Sequence, residues 1–448
     1  MTLSDERRKR RLRKQRRQQA IFFIIFFVVV ALVISILFFG IRGIISLFDK
    51  GEKPVDEPKA PAVTLSSADE VLVEARRLAA GYDYDKAISL IREFKGYEAN
   101  PSLSEAITEF EETKGTLAPA NIYEVTHVFF HTLIKDNAKA FDGEYTEDGY
   151  NQYMTTISEF EAMLRIFHEK GYVLVNLDDM AKMETDENGN SKMTAQKIML
   201  PPGKKPMVIS QDDVSYYQYM QGDGFATRIV IGEDGYPTCE YINDDGSVSY
   251  GDYDLVPILE RFIKEHPDFS YQGARATLAI TGYDGVLGYR TSPSGEGYNE
   301  EEIAKAKAVA DRMKELGWVF ASHSWGHQLY GSISVEKLRT DAEKWENEVQ
   351  PILGDSDIII YAHGEDIAGI EKYDSSNEKF NILRNFGFRY FCNVDAHQYW
   401  VQLGDNYLRQ GRRNLDGYRM YHNPEMLEDL FNVSDVFDSE RPTPVPAI

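Results

Sequence analysis

Cysteine is almost absent from the chain, with only Cys239 and Cys392 among 448 residues. A scaffold held together by disulfides is therefore excluded, and the spacing leaves one bridge or two free thiols equally open. Glycine and proline, at 33 and 17 residues, are close to ordinary usage, which excludes collagen-like and low-complexity chains. We expect a globular protein of about two to four domains, each able to bury its own core.

Positive charge is also scarce, with 49 Lys and Arg against 72 acidic residues and a net charge of −23. Eleven of the basic residues lie in residues 1–50, so residues 51–448 carry a net charge of −31. A body this acidic would be repelled by phosphates, which argues against a nucleic-acid partner. The basic head needs a different explanation.

A long apolar run directly follows that head. Residues 21–40 contain no charged side chain, and the apolar character continues to Leu47. As a helix, such a run crosses a bilayer core of about 30 Å. It exceeds the roughly 7–15 apolar residues of a signal peptide, and no convincing cleavage site follows it. We expect an uncleaved signal-anchor at Ile21–Leu47, with the basic tail 1–20 in the cytoplasm and the acidic body outside the cell membrane.

Two short segments follow the anchor. Residues 48–66 are rich in Pro, Lys and acidic residues without an apolar period, which predicts a linker. Residues 67–120 show helical periodicity, and the stretch LAAGYDYDKAISLI resembles half of a tetratricopeptide repeat. One such unit is too little for a repeat array. A helical spacer and a module that binds a protein partner both remain open.

Residues 121–448 alternate short apolar strands with amphipathic helices, which predicts an α/β fold with a largely parallel sheet. The number of units favours a distorted (β/α) barrel. An insertion at about 222–272 carries turn sequences and one helix. The predicted strands lie at 125–134, 172–177, 206–210, 276–281, 318–323, 358–363 and 388–394.

Chemistry-bearing residues follow two of these strands. Asp212 and Asp213 come directly after the strand at 206–210, and His323 and His327 come at the end of the strand at 318–323. Alone, the Asp pair is typical of a turn or a helix cap, and the His pair is typical of two hydrogen-bonded histidines. Because the carboxyl ends of parallel strands meet at one edge, the two pairs together predict a metal site.

The order of these motifs resembles the NodB-homology polysaccharide deacetylases, carbohydrate esterase family 4. The segment KPMVISQDD is similar to the family's first motif, usually TFDDG, and HSWGH is similar to its HSxxH motif. The strand THVFFHTLI, with His131, resembles the leading strand of the extended members. The likeness covers about residues 121–423 and implies the (β/α) barrel of this family.

The resemblance also implies roles for single residues. Asp213, His323 and His327 would hold a divalent metal, with zinc expected from two imidazoles and one carboxylate. Asp212 would be the general base that activates the attacking water. Backbone N–H groups near Tyr361 would stabilise the oxyanion, and this residue is a candidate substrate contact.

The chain departs from the family at several positions. Val214 replaces the usual Gly, and the third motif lacks its Arg. The late motif whose His protonates the leaving amine is not recognisable, so His363 and His422 are candidates, with His422 ahead by chain order. Arg412 and Arg413 are candidates for the missing positive charge or for a substrate contact, and a surface role is the alternative for each.

Aromatic side chains are frequent next to the motifs. They could stack on sugar rings, although core packing explains about half of them equally well. They are Tyr216, Tyr217, Tyr219, Tyr283, Tyr289, Trp325 and Tyr330.

The sequence therefore predicts a membrane-anchored hydrolase that removes N-acetyl groups from a cell-envelope glycan, with peptidoglycan N-acetylglucosamine as the first substrate to test. We expect Tyr283 and Trp325 to contact this substrate. Two rival functions remain: a glycan-binding pseudo-enzyme that has lost its acid, and a membrane-tethered scaffold that acts through the helical segment.

Overall fold

The protein is described by a computed structural model over Leu65 and residues 67–448. The predicted basic tail and the anchor Ile21–Leu47 lie outside the described residues. In the described part of the chain, no helix combines the length and the apolar character needed to cross a bilayer.

The secondary structure alternates between strands and helices along residues 118–422 and begins with three helices. The strands are β1 (Ala118–Pro119), β2 (Thr126–Phe130), β3 (Tyr172–Leu174), β4 (Ala181–Thr185), β5 (Ser191–Ala195), β6 (Met199–Leu200), β7 (Lys205–Gln211), β8 (Arg228–Ile231), β9 (Pro237–Ile242), β10 (Val248–Gly251), β11 (Thr277–Ile280), β12 (Val319–Ser322), β13 (Ile358–Ile360), β14 (Tyr390–Val394), β15 (Val401–Leu403) and β16 (Leu408–Asn414). The α-helices are α1 (Ala68–Ala80), α2 (Tyr84–Glu93), α3 (Pro101–Lys114), α4 (Asn137–Ala140), α5 (Glu147–Tyr153), α6 (Ile157–Glu169), α7 (Leu177–Met180), α8 (Leu255–Glu265), α9 (Glu300–Glu315), α10 (Val335–Glu348), α11 (Gln350–Leu353), α12 (Glu378–Asn385) and α13 (Gly417–His422).

Parallel strands close into a barrel. In the part of the chain that the structure describes, seven strands pair in the order β2, β7, β11, β12, β13, β14 and β16, and β16 pairs back onto β2. Helices separate consecutive strands, for example α9 between β11 and β12 and α10 between β12 and β13. The predicted (β/α) barrel is therefore confirmed.

One edge of strand β7 pairs with two different strands, β3 and β11. Its first residues, Lys205 to Met207, pair with β3, whereas Ser210 and Gln211 pair with β11. The pairing of β7 with β11 is thus confined to the last residues of β7, immediately before Asp212. This split pairing distorts the barrel.

Strand β16 was not predicted. Its sequence, LRQGRRN, lacks the apolar run of a buried parallel strand, yet its first six residues are buried. Its long polar side chains find partners inside the protein: Arg409 pairs with Asp366, and Arg413 pairs with Asp429. Because its buried arginines are paired with acidic residues elsewhere in the chain, the strand cannot be recognised from hydrophobic periodicity.

Helix α6 shows how the outer layer is built. A capping box starts the helix, because the Thr156 hydroxyl accepts from Glu159 N while the Glu159 carboxylate accepts from Thr156 N. Four apolar side chains on one face are fully buried, and each contributes about 1.5–3 kcal/mol. They are Phe160, Met163, Leu164 and Phe167.

The insertion at about 222–272 contains the antiparallel sheet β8–β9–β10 and helix α8. Asp254 caps α8 and is fully buried. Its carboxylate also accepts from Gln211 Nε2 at 2.8 Å and from the Tyr216 hydroxyl at 2.6 Å. The insertion therefore supports the segment on both sides of Asp212. Cys239 in β9 and Cys392 in β14 are both buried and unpaired.

Helices α1–α3 form a small layered unit that contacts the barrel through the turn between α1 and α2. Gly81 O accepts from Gln272 N at 2.7 Å, and the Tyr82 hydroxyl donates to Asp268 O at 2.8 Å. The Tyr82 ring stacks on Tyr271. These barrel residues precede β11, so the turn lies at the amino-terminal ends of the strands.

Candidate active site

Polar side chains meet where the barrel strands end. Asp212 and Asp213 follow β7, His323 follows β12, and His363 follows β13. Arg412 reaches the same region from inside β16. This is the carboxyl end of the barrel, where parallel β/α folds carry their functional groups.

Asp213, His323 and His327 form a compact cluster. Asp213 Oδ1 lies 3.7 Å from His327 Nε2 and 3.9 Å from His323 Nε2. These separations are too long for hydrogen bonds, which end near 3.2 Å. Two donor atoms that share one zinc ion, each about 2.0–2.2 Å from it, lie roughly 3.3–3.5 Å apart. The three ligand atoms all lie within 4.8 Å of one another. The cluster therefore fits a divalent metal.

Neighbouring groups orient these ligands. His323 Nδ1 donates to Ile360 O at 2.8 Å, which leaves the Nε2 lone pair facing the cluster. The Tyr217 hydroxyl donates to Asp213 Oδ1 at 2.5 Å. Asp213 and His327 both adopt positive φ, 59° and 52°, a strained conformation for such residues that bends the chain towards the cluster.

Electrostatics favour the metal-binding protonation states. Burial raises the pKa of Asp213, but the positive charges that His327 and His323 can carry outweigh burial and lower it overall. Burial lowers the pKa of His327 despite the nearby carboxylates. An ionised carboxylate and a neutral imidazole are the forms that bind metals.

Asp212 forms a buried, bidentate ion pair with Arg412. Nη1 donates to Oδ1 at 2.7 Å and Nη2 donates to Oδ2 at 2.9 Å. Burial alone would raise the pKa of Asp212, but the charge of Arg412 prevails and lowers it to about 2. Asp212 is therefore ionised at neutral pH, next to the metal cluster and with one oxygen 3.9 Å from His323 Nε2.

A directed chain of hydrogen bonds continues from Arg412 into the barrel. Gln410 Nε2 donates to Val125 O, so its oxygen faces His127 and accepts from Nδ1. His127 Nε2 then accepts from the Ser210 hydroxyl at 2.9 Å, and Ser210 Oγ accepts from Arg412 Nη1 at 3.2 Å. Burial and the Arg412 charge lower the pKa of His127, which keeps the ring neutral as this pattern requires.

His363 lies at the cluster, whereas His422 does not contact it. The His363 ring packs on His327, with ring centroids 4.3 Å apart. His422 Nε2 instead bonds to Val445 O at 2.9 Å, and its ring packs on Tyr418.

Tyr361 and Arg413 point into the protein. The Tyr361 side chain is 1% exposed and bonds to the Tyr373 hydroxyl, and its backbone N–H donates to Cys392 O. Arg413 pairs with Asp429 and donates to Met426 O. Neither side chain is open to a substrate, although both were predicted as candidates for contact.

Trp325 and Tyr283 lie on adjoining loops. The Trp325 carbonyl accepts from Gly282 N and Tyr283 N. A Cβ at Gly282 would lie 2.2 Å from Trp325 Cδ1, so glycine permits this close approach. The Trp325 indole donates to Glu348, and Lys344 lies over its ring, so this side chain is fastened to helix α10.

His131 is a functional candidate that the sequence did not single out as a proton donor. It follows β2, and its Nδ1 donates to Tyr153 O at 3.0 Å, which leaves Nε2 free of that bond. Its charge lowers the pKa of both Asp212 and Asp213, as expected for a ring beside both carboxylates. The likeness of THVFFHTLI to the leading strand of the extended deacetylases was the available signal.

A second His/Asp cluster lies at the opposite end of the barrel. His168 Nε2 bonds to both oxygens of Asp268 at 2.9 and 3.0 Å, and Lys204 Nζ lies 3.1 Å from the same carboxylate. The His266 ring packs on His168 at 4.5 Å. Direct hydrogen bonds and an ammonium group already satisfy this carboxylate, which distinguishes it from the open cluster at Asp213.

No protein-family model and no curated protein matches the sequence. Solved structures do show similarity. The Streptococcus pyogenes deacetylase PplD, in complex with acetate, has 13% identity and a TM-score of 0.38, over 70% of this chain and 99% of that one.

Two further structures are similar. The BpsB deacetylase domain from Bordetella bronchiseptica has 12% identity and a TM-score of 0.26, over 48% of this chain and 74% of that one. A CE4 family pseudoenzyme from Bacillus anthracis has 11% identity and a TM-score of 0.21, over 40% and 59%. At 13% identity or less, the likeness concerns the fold alone.

Proposed function

We propose that this protein is a metal-dependent hydrolase that removes N-acetyl groups from a cell-envelope polysaccharide, with peptidoglycan N-acetylglucosamine as the first substrate. One observation carries the proposal. An ionised carboxylate, Asp212, lies directly beside a three-ligand cluster whose spacing fits a metal. A protein that only binds glycans has no need of a free base at that position.

Each residue has a separate part in the reaction. A bound zinc ion would polarise the amide carbonyl and make a water molecule more acidic. Asp212 accepts the proton of the attacking water, and Arg412 fixes the direction of its carboxylate. The leaving amine then requires a proton from an acid on the other side.

We assign that acid to His131. Its Nδ1 donates to Tyr153 O, so Nε2 is the ring nitrogen that can deliver a proton to the leaving amine. The contacts of His422 all lie at the carboxyl-terminal segment.

Replacing His131 by Asn should lower kcat by about 10²–10⁴-fold with little change in KM or metal content. Asparagine places its amide nitrogen near the position of Nδ1, so the bond to Tyr153 O is retained while Nε2 is removed. Steady-state acetate release measures the effect. The matched variant His422→Asn should keep more than about half of the activity. If His422→Asn or His363→Asn removes activity and His131→Asn does not, the assignment is wrong.

The activity itself is tested with the full chain purified in mild detergent. Metal content is measured first, and acetate release is then followed on N-acetylglucosamine oligomers and on peptidoglycan. Stoichiometric metal with no acetate release from any acetylated glycan would favour the rival function, a glycan-binding pseudo-enzyme.

We further propose that Ile21–Leu47 anchors the chain in the cell membrane, with residues 1–20 in the cytoplasm and the barrel outside. The charge balance on the two sides of the apolar run supports this orientation. Protease added to intact spheroplasts should degrade the barrel and leave an amino-terminal tag protected. Protection of both ends, or release of a soluble barrel without proteolysis, would contradict the orientation or the anchor.

A further inference from the structure

The aromatic residues near the motifs differ sharply in exposure. Tyr216, Tyr289 and Tyr330 are 2–4% exposed and belong to the core. Tyr217 is 5% exposed, whereas Tyr219 is 59% exposed. Core packing therefore explains why most of the aromatic residues near the motifs are present. It does not explain Tyr219, whose side chain is exposed.

Three of the rings form a stacked ladder. The Tyr217 ring lies between its neighbours, 5.6 Å from Tyr219 at an interplanar angle of 15° and 5.2 Å from Tyr283 at 16°. Tyr217 therefore packs against two rings, in keeping with its burial. Tyr219 stacks on Tyr217 and is 59% exposed, which leaves much of its ring available to a ligand.

The ladder is fastened to the metal cluster. The Tyr217 hydroxyl donates to Asp213 Oδ1 at 2.5 Å and contacts Thr281 Oγ1 at 2.9 Å. The exposed Tyr219 ring therefore stacks on a side chain that is itself hydrogen-bonded to Asp213. A rigid, pre-placed aromatic face costs little entropy when it binds a ligand.

The surroundings of Tyr219 are polar and acidic. Asp284 accepts from Gln218 N and Gln218 Nε2 and forms an ion pair with Arg290, and Asp223 accepts from the Tyr150 hydroxyl. The charges of Asp213, Asp284 and Asp223 all act on Tyr219. Carboxylates accept hydroxyl groups as hydrogen-bond donors, and they repel carboxylate or phosphate groups.

We propose that the open face of Tyr219 is a sugar subsite that binds the apolar C–H face of an uncharged pyranose ring next to the ring that is deacetylated. This inference rests on the proposed function and adds a position and a ligand class to it. The ladder selects a polymer over an isolated acetyl group, because only a substrate with a second sugar reaches Tyr219. The carboxylates of Asp223 and Asp284 can accept hydrogen bonds from the hydroxyl groups of such a sugar.

The test compares substrates with and without a second sugar ring in the full-length, metal-loaded protein. In Tyr219→Ala, KM for the N-acetylglucosamine tetramer should rise about 3–10-fold with kcat unchanged. Hydrolysis of 4-nitrophenyl acetate, which carries no sugar, should be unaffected. Tyr219→Phe keeps the ring and should behave as the wild type. Tyr250→Ala is the matched control, because Tyr250 is also 59% exposed but lies in strand β10.

Calorimetric binding of the same tetramer separates this inference from the proposed function. The dissociation constant should rise by the same factor in Tyr219→Ala, even if the wild type releases no acetate. Equal KM and dissociation constants in the wild type and Tyr219→Ala would overturn the subsite, as would equal weakening in Tyr250→Ala or no binding by the wild type. Loss of acetate release with Tyr219-dependent binding would overturn the deacetylase and leave the subsite in place.

Discussion

Asp212→Asn should lower kcat by about 10²–10⁴-fold, the usual contribution of a general base, while KM changes little. The amide has nearly the same shape as the carboxylate but accepts no proton. Asp213, His323 and His327 are untouched, so metal content should stay at the wild-type level. Acetate release and metal analysis on the same preparation measure both quantities.

This substitution also leaves Arg412 without a counter-charge in the barrel, where its side chain is 0% exposed. Breaking such a buried pair costs about 3–5 kcal/mol, so the free energy of unfolding should fall as well. The double variant Asp212→Asn/Arg412→Met removes the unpaired charge and should recover stability without activity. Activity in either folded variant would exclude Asp212 as the base.

His327→Ala should abolish stoichiometric metal binding and reduce acetate release to background. The His327 side chain is 26% exposed, so the substitution leaves a shallow gap rather than a core cavity. Even an outer-shell change costs about 10–100-fold in metal affinity, and loss of one of three ligands costs more. Metal content after dialysis is the primary measurement, and activity is the second.

The second histidine cluster supplies the control for this experiment. His266→Ala removes an imidazole beside His168 and Asp268, where direct hydrogen bonds and Lys204 already satisfy the carboxylate. Metal content should therefore stay unchanged in this variant. A loss of metal from His266→Ala, with retention in His327→Ala, would place the metal at the wrong end of the barrel for catalysis.

The barrel could be predicted because six of its seven strands carry short apolar runs between amphipathic helices. The seventh, β16, could not, because its buried side chains include Arg409, Arg412 and Arg413. A charged residue is predicted to lie on the surface when its ion-pair partner is far away along the chain. Arg412 and Asp212 are 200 residues apart, so their pairing depends on the closed barrel.

Some residues of the candidate site could likewise be predicted from the sequence, and others could not. The cluster of Asp213, His323 and His327 could be predicted because its members form two local motifs at strand ends. Chain order placed His422 ahead as the candidate acid, but in the structure its Nε2 bonds to Val445 O. His131 is separated from Asp212 by 81 positions of chain, and only the β2–β7 pairing brings them together.

The turn between α1 and α2 contacts residues that precede β11, whereas the metal cluster lies beyond the other ends of the strands. The helical unit and the active-site mouth therefore occupy opposite poles of the barrel. A protein docked on the helical unit would leave the mouth free for a long polymer to pass across it. Under the proposed function, variants of the helical unit and variants of the Asp213 cluster can therefore be tested independently of each other.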